Sequence, residues 1–385
     1  MSLNKIQIPI IYHGKDSLKE LKKIKEQKIL IVTDKMIKSL HAELILKYLK
    51  KKECIFFDNV EPNPNDLMIM KGNEIAFDFN PDLIIGFGGG SVMDTAKMIY
   101  FLYETEKNSV YECNPVTSYN LGQKSRLILI PTTSGTGAEH TPASIITNSE
   151  TGQKTTIASG EIIPSTVFLD SRLPLLMPPK LTISTGLDAL VHAIEGITSK
   201  MRSDFSDAMN FHAIRLLTKF LPQVLKENEK DIFIRERLHN AASIAGIGMG
   251  NSSCGLAHSC GHALGALHTI QHGIAVGIML PYTIEFNKSK CAENYEEILN
   301  CINISGYNDP TSELAYFLRI FLKEINIPVL LKEIISNEMD WNQKLEKLIS
   351  FAKKDILTPF NPRFVSEDEF KKIFAYAYIG KPVDF

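Results

Sequence analysis

Histidine is a demanding residue to bury, because both ring nitrogens need a partner or solvent. Residues 254–273, CGLAHSCGHALGALHTIQHG, nevertheless carry four of the chain's ten histidines: His258, His262, His268 and His272. His258 and His262 are four apart, as are His268 and His272, a spacing that puts both members of a pair on one helix face. Asp188 and His192, in GLDALVHAIEG (186–196), repeat it. One carboxylate with several imidazoles is a donor set for a divalent transition metal. A continuous helix over 258–272 would hold its ends about 21 Å apart, too far for one ion. The chain must bend, and Gly265 with Thr269 and Ile270 offers the place, so that His272 opens a new helix. Two facing segments and a helix over 181–199 would bring the aspartate and the imidazoles into a bundle core. Spacing does not say which histidines bind. Packing and capping are the alternative roles, with His268, beside Leu267 and Ile270, the expected bystander.

Two glycine-bearing loops suggest a second kind of ligand. GFGGGSVMD (86–94) joins a strand to a helix, where glycines let backbone N–H groups approach phosphate and the helix N-terminus adds favourable partial charge. A tight turn without ligand is the alternative. Ser91 stands where the third glycine of GxGxxG belongs, so the loop departs from the usual dinucleotide fingerprint. PTTSGTGAEHT (131–141) leaves another strand end and offers the hydroxyls of Thr132, Thr133 and Thr136 to ribose or phosphate. Together they suit a ligand with two phosphates and sugars. Asp34 ends the first strand; its carboxylate either accepts from an adenosine ribose and repels a 2′-phosphate or caps the next helix.

The elements that must position these residues fall into two kinds. ILIVT (29–33), CIFFD (54–58), DLIIGFG (82–88) and RLILIP (126–131) alternate with helical patterns over 36–50, 66–79 and 92–103. That alternation predicts a doubly wound parallel sheet, with ligands at the C-terminal strand ends. After 166–170 the strand signal fades, and the proline-rich RLPLLMPPK (172–180) punctuates the chain. Helical periodicity then covers 181–199, 204–226, 231–249, 257–267, 273–286, 311–325 and 342–353. We therefore expect an α/β dinucleotide-binding domain over 1–178 and an all-helical metal-binding domain over 179–385, with cofactor and substrate meeting between them.

Composition narrows the function classes. The net charge of −2 argues against a nucleic-acid partner, and the lysines of 19–28 and 51–52 read as solvated helix faces. No apolar run approaches bilayer length, and MSLNKIQIPIIYHGKDS has no secretory-signal pattern. Six cysteines without a CxxC pair are expected to be reduced thiols in a cytoplasmic protein.

In combination and order, VTDK (32–35), PNP (62–64), GGGSxxDxxK (88–97), PTTSGTGAE, GLDALVHAIE and HSCGHALGALHTIQHG resemble the iron-containing, or group III, alcohol dehydrogenases, almost end to end. The resemblance implies a dehydroquinate-synthase-like fold and hydride transfer between NAD(H), in preference to NADP(H), and a small primary alcohol or aldehyde. It puts Asp188, His192, His258 and His272 on the metal-ligand positions and His262 on a proton-relaying histidine. Gly88, Gly89, Gly90 and Ser91 fall on the pyrophosphate loop, and Thr132, Thr133 and Thr136 on the ribose–nicotinamide loop. Asp94 and Thr141, in the same motifs, are counted with the cofactor-binding residues. Lys154 matches a cofactor-contacting lysine, Asp34 a determinant of NAD over NADP, and Met249 a substrate-pocket position often filled by an aromatic. It also implies Fe(2+), with zinc the competing ion for such a donor set, and a homodimer or higher homo-oligomer. The competing functions are an NAD-using lyase of the dehydroquinate-synthase type, a zinc-dependent polyol dehydrogenase and a metal-storage protein.

Overall fold

The computed structural model describes residues 5–226 and 231–385. The chain divides into two compact units, Met1–Met177 and Pro178–Phe385.

The first unit is built on one parallel sheet. Its strands are β1 (Ile10–His13), β2 (Lys28–Val32), β3 (Glu53–Phe57), β4 (Leu83–Gly88) and β5 (Arg126–Pro131). After a separate hairpin of β6 (Ala143–Thr147) and β7 (Lys154–Ala158) comes β8 (Thr166–Leu169). The order is β1-β8-β5-β4-β2-β3, and every neighbouring pair is parallel. β4, and β2 and β5 after their first residues Lys28 and Arg126, are apolar runs because helices cover both faces. Ile29, Ile31, Leu83, Ile85, Ile128 and Ile130 face one core, which includes Ile45 of α1 (Lys35–Leu46). Leu30, Val32, Ile84, Leu127 and Leu129 face the other, with Ile69 of α2 (Asp66–Phe79) and Ile99 of α3 (Gly90–Thr105). Gly88 of β4 and Pro131 of β5 are register partners, so the glycine and threonine loops leave the same end of neighbouring strands.

Sequence periodicity missed β1 and the β6–β7 hairpin. β1 is a four-residue edge strand. The hairpin turns through Asn148, whose side chain accepts from the N–H groups of Glu150 and Thr151, and through Gly152 at φ +68°. α1 also ends earlier than the expected residue 50, giving way after Leu46 to tighter bonds from Tyr48 and Leu49.

In the second unit the described residues form nine α-helices and no strand. They are α4 (Pro179–Thr198), α5 (Asp204–Phe220), α6 (Ile232–Gly250), α7 (Leu256–His268), α8 (His272–Phe286), α9 (Lys288–Cys301), α10 (Pro310–Glu324), α11 (Glu338–Lys354) and α12 (Glu367–Ile379). α9 and α12 were not anticipated, and α5 stops before Pro222, which cannot donate to a continuing helix. The bend between the histidine pairs falls later than Gly265, which stays inside α7. Thr269 takes the left-handed conformation (φ 55°), and α8 starts at His272. No helix among the described residues is long and apolar enough to cross a membrane.

α4, α7 and α8 approach one another at glycines. A Cβ on Gly261 would lie 2.4 Å from Val276 Cγ1, one on Gly277 2.3 Å from a Leu187 methyl, and one on Gly273 1.9 Å from the Ser184 carbonyl oxygen. The last clash is with backbone, which cannot swing aside. Gly273→Ala should therefore push α8 off α4 beside His272, costing about 1–3 kcal/mol and weakening metal retention. A thermal melt beside metal analysis checks this; an unchanged melt with full metal content would contradict the packing described.

Candidate active site

Helix α4 carries Asp188 and His192 on one buried face, and α7 and α8 bring His258 and His272 to it. Three ring nitrogens converge on one carboxylate oxygen. His272 Nε2 is 3.2 Å, His258 Nε2 3.6 Å and His192 Nε2 3.8 Å from Asp188 Oδ1. Donors bound about 2.0–2.2 Å from one tetrahedrally coordinated ion lie roughly 3–3.6 Å from each other, so the Asp188, His258 and His272 donors, all within 4.8 Å of one another, fit a shared cation, and His192 at 3.8 Å lies just outside that range. Neither Asp188 Oδ1 nor His258 Nε2, both buried, has a hydrogen-bond partner among the described residues. Burial works against the Asp188 carboxylate, but His192, His272 and His258 together hold its pKa well below the ordinary value. Burial drives His192 down to about 3, so this ring is neutral and available as a ligand.

Two carboxylates that the sequence reading passed over orient these rings. Glu195 Oε2 lies 2.6 Å from His258 Nδ1, and its Oε1 accepts from the Ala257 N–H at 2.6 Å. With Nδ1 so engaged, His258 presents Nε2 to the cluster. Glu195 follows Asp188 by seven positions, so the helical spacing that linked Asp188 and His192 could have found it. Asp355, just past α11, has Oδ2 2.7 Å from His262 Nδ1, while its Oδ1 accepts from the Leu357 N–H at 2.9 Å. No local signal in the sequence connects residues 262 and 355. Burial lowers the His262 pKa and Asp355 opposes the shift. The His262 ring stacks on His272 with centroids 5.1 Å apart.

Cys254 is a third unanticipated neighbour: with His192 and His258 it forms a second trio whose donor atoms lie within 4.8 Å of one another. His268 stands apart from the cluster, 3.4 Å from Asp340 Oδ2 and stacked on Trp341. Met249 occupies the last turn of α6, half-buried, and its carbonyl accepts from the Ser252 and Ser253 N–H groups.

In the first unit, Gly89 precedes α3 in extended conformation and brings no side-chain cap, which leaves the helix N-terminus open to an anion. Gly90 packs so closely on the second loop that its Cβ would sit 3.0 Å from Thr136 Cγ2. Thr132 donates its N–H to the Gly88 carbonyl at 3.0 Å, and its buried Oγ1 has no partner among the described residues. This glycine cradle and orphaned hydroxyl fit a phosphorylated ligand. Asp94 and Thr141 are buried and engaged within the protein: Asp94 Oδ2 accepts from the Ile145 N–H, and Thr141 Oγ1 accepts from Lys97. Lys154, at the exposed start of β7, pairs with Thr147. Asp34 caps α1, its Oδ1 accepting from the Ile37 N–H at 2.9 Å.

Comparison with known proteins gives this arrangement a family. Residues 9–171 match the model of the iron-containing alcohol dehydrogenases, and residues 182–378 match that of the family's C-terminal part. The NADPH-dependent butanol dehydrogenase of Clostridium saccharobutylicum is 38% identical, over 97% of this chain and 98% of its own. The bifunctional aldehyde-alcohol dehydrogenase of Escherichia coli K12 is 33% identical; the alignment takes in 92% of this chain and 43% of that longer protein. Among solved structures, 1,3-propanediol oxidoreductase superposes with a TM-score of 0.90 at 28% identity, covering 98% of this chain and 100% of the other. The iron-containing alcohol dehydrogenase of Thermococcus thioreducens does so with a TM-score of 0.88 at 30% identity and the same coverage. The fold and site thus define a metal- and nicotinamide-linked oxidoreductase acting on CH–OH groups. The chain belongs to the iron-containing alcohol dehydrogenase family.

The Glu195–His258 contact generates a test. Glu195→Gln keeps the shape and removes the charge that makes Nε2 a stronger donor, so metal affinity should fall about 10–100-fold. Competition with a chromophoric chelator measures this; unchanged affinity would make Glu195 a packing residue only.

Proposed function

We propose that this protein reduces a small aldehyde to the primary alcohol, or runs the reverse oxidation, with NAD(H) as the hydride carrier and divalent iron as the resident metal. The observation that carries the reading is the convergence of three imidazoles on the buried, unpartnered Asp188 Oδ1. When bound, the metal supplies a Lewis acid that draws charge from the substrate oxygen, and the nicotinamide supplies or accepts the hydride.

The protein's own residues do the rest. Asp188, His192, His258 and His272 hold the ion, and their single negative charge leaves the site cationic enough to favour an oxyanion. Glu195 fixes the His258 tautomer. His262 exchanges the hydroxyl proton through Nε2, because Asp355 occupies its Nδ1. Gly88, Gly89, Gly90 and Ser91 cradle the pyrophosphate, and Thr132, Thr133, Thr136 and Lys154 hold the ribose and nicotinamide end. Met249 replaces a rigid aromatic wall with a flexible apolar one, which suits short-chain substrates. Reduced thiols at all six cysteines suit a cytoplasmic protein, and membership of the family suits a homodimer or higher homo-oligomer. Rates with NADH and NADPH across short-chain aldehydes and ketones test the whole reading; no turnover of either cofactor would refute it.

The metal and proton roles separate by mutation. His258→Ala or His272→Ala should lose metal and activity together. His262→Ala should keep its metal while kcat drops by about 10²–10⁴-fold. Full metal occupancy in the first pair, or an unchanged kcat in the last, would break the assignment.

Cofactor preference turns on Asp34. One carboxylate oxygen caps α1, and the half-exposed side chain retains a second oxygen for a ribose hydroxyl. A second reading, NADPH, is favoured by the NADPH dependence of the Clostridium saccharobutylicum relative. If the carboxylate faces the ribose, Asp34→Gly moves the kcat/KM ratio toward NADPH by about tenfold, or about 1.4 kcal/mol. If it is only a cap, stability falls by a few tenths of a kcal/mol and the ratio stays put.

A further inference from the structure

Lys97 has no exposed surface, yet it carries an ammonium group on α3, about two turns past the glycine loop. The proposed chemistry does not use it. Its Nζ has three N–H donors and three acceptors: the Thr141 carbonyl at 3.0 Å, Thr141 Oγ1 at 3.2 Å and the Ala143 carbonyl at 2.8 Å. Asp94, one turn earlier on the same helix, lies 3.9 Å from it. From that position Asp94 accepts the Ile145 N–H at 3.0 Å through Oδ2 and the Ser144 hydroxyl at 3.1 Å through its carbonyl. Burial pulls the Lys97 amine down to about 8 against the attraction of Asp94 and Glu139, which leaves it predominantly charged at neutral pH.

These contacts sit at a junction. Upstream of Thr141 is the loop with Thr132, Thr133 and Thr136, whose near end is tied to β4 by the Thr132 N–H on the Gly88 carbonyl. Downstream is the β6–β7 hairpin, which among the described residues forms a two-stranded sheet of its own and carries Lys154. One buried ammonium thus ties the far end of the threonine loop and the root of the hairpin to the helix whose N-terminus is the glycine loop. We propose that Lys97 is a positioning residue for the dinucleotide, holding the threonine loop and the Lys154 hairpin in register with the glycine loop. The proposal rests on the assignment of these loops to a nicotinamide cofactor.

The test is titration of metal-free wild type and Lys97→Met with NADH and NADPH by nicotinamide fluorescence. Thermal melts and steady-state kinetics of the iron-loaded proteins run beside it. In the folded variant, the dinucleotide Kd and KM should rise by about tenfold or more. The kcat at saturating cofactor should stay within about threefold, with the aldehyde KM unmoved. A general loss of structure would not produce that split. An unchanged Kd in folded Lys97→Met overturns the proposal, as does a fall in kcat with Kd intact. If Lys97→Met does not fold, Ser144→Ala decides. It removes the hydroxyl that anchors β6 on Asp94 and should raise Kd by about threefold; no rise is a refutation. Wild type that binds neither dinucleotide would sink the functional reading and this proposal together, whereas equal binding by wild type and variant sinks this proposal alone.

Discussion

A carboxylate oxygen buried without a hydrogen-bond donor is among the least favourable things a protein can fold around, costing several kcal/mol unless a cation compensates it. Asp188 Oδ1 is such an atom: three imidazole nitrogens lie 3.2, 3.6 and 3.8 Å from it, and none meets it as a hydrogen-bond donor. Burial keeps His192 neutral, so the rings around Asp188 do not supply three compensating charges. A divalent ion would satisfy the carboxylate and the unpartnered His258 nitrogen at once. Much of the second unit reads as the scaffold this convergence requires.

The helices meet closely enough for it only because glycine stands at the contacts. Gly273 admits the Ser184 carbonyl beside Asp188 and His272, Gly261 admits Val276, and Gly277 admits Leu187. Glu195 and Asp355 then fix which nitrogen His258 and His262 turn toward the cluster. In the first unit the same principle works on backbone: Gly89 and Gly90 let the α3 N-terminus and the threonine loop close on one another without a side chain between them.

Much of this was legible in the sequence. Apolar strand runs alternating with amphipathic stretches specified the parallel sheet, and the i, i+4 spacing of Asp188/His192 and His258/His262 placed both pairs on helix faces. Part of what escaped had weak or distant signals. β1 is four residues at a sheet edge, and α9 is polar enough that only Cys291, Tyr295, Ile298 and Leu299 are buried. The chain reversal before His272 was read from necessity and falls at Thr269, one of the residues named for it; what the sequence did not show is that Gly265 stays helical and that Thr269 adopts a left-handed conformation a β-branched residue seldom takes. The hairpin and Glu195 did have local signals: two β-branched runs flanking NSETGQ, and the i+7 position from Asp188. Asp355 had none, since its partner His262 is 93 positions away.

Among the described residues the convergence on Asp188 has one rival, the trio of His192, Cys254 and His258. X-ray absorption of the protein loaded anaerobically with iron(II) discriminates between them directly. The account predicts a first shell of nitrogen and oxygen only, with multiple scattering from three imidazoles and no sulfur. A sulfur scatterer at about 2.3 Å, or fewer than three imidazoles, would contradict it.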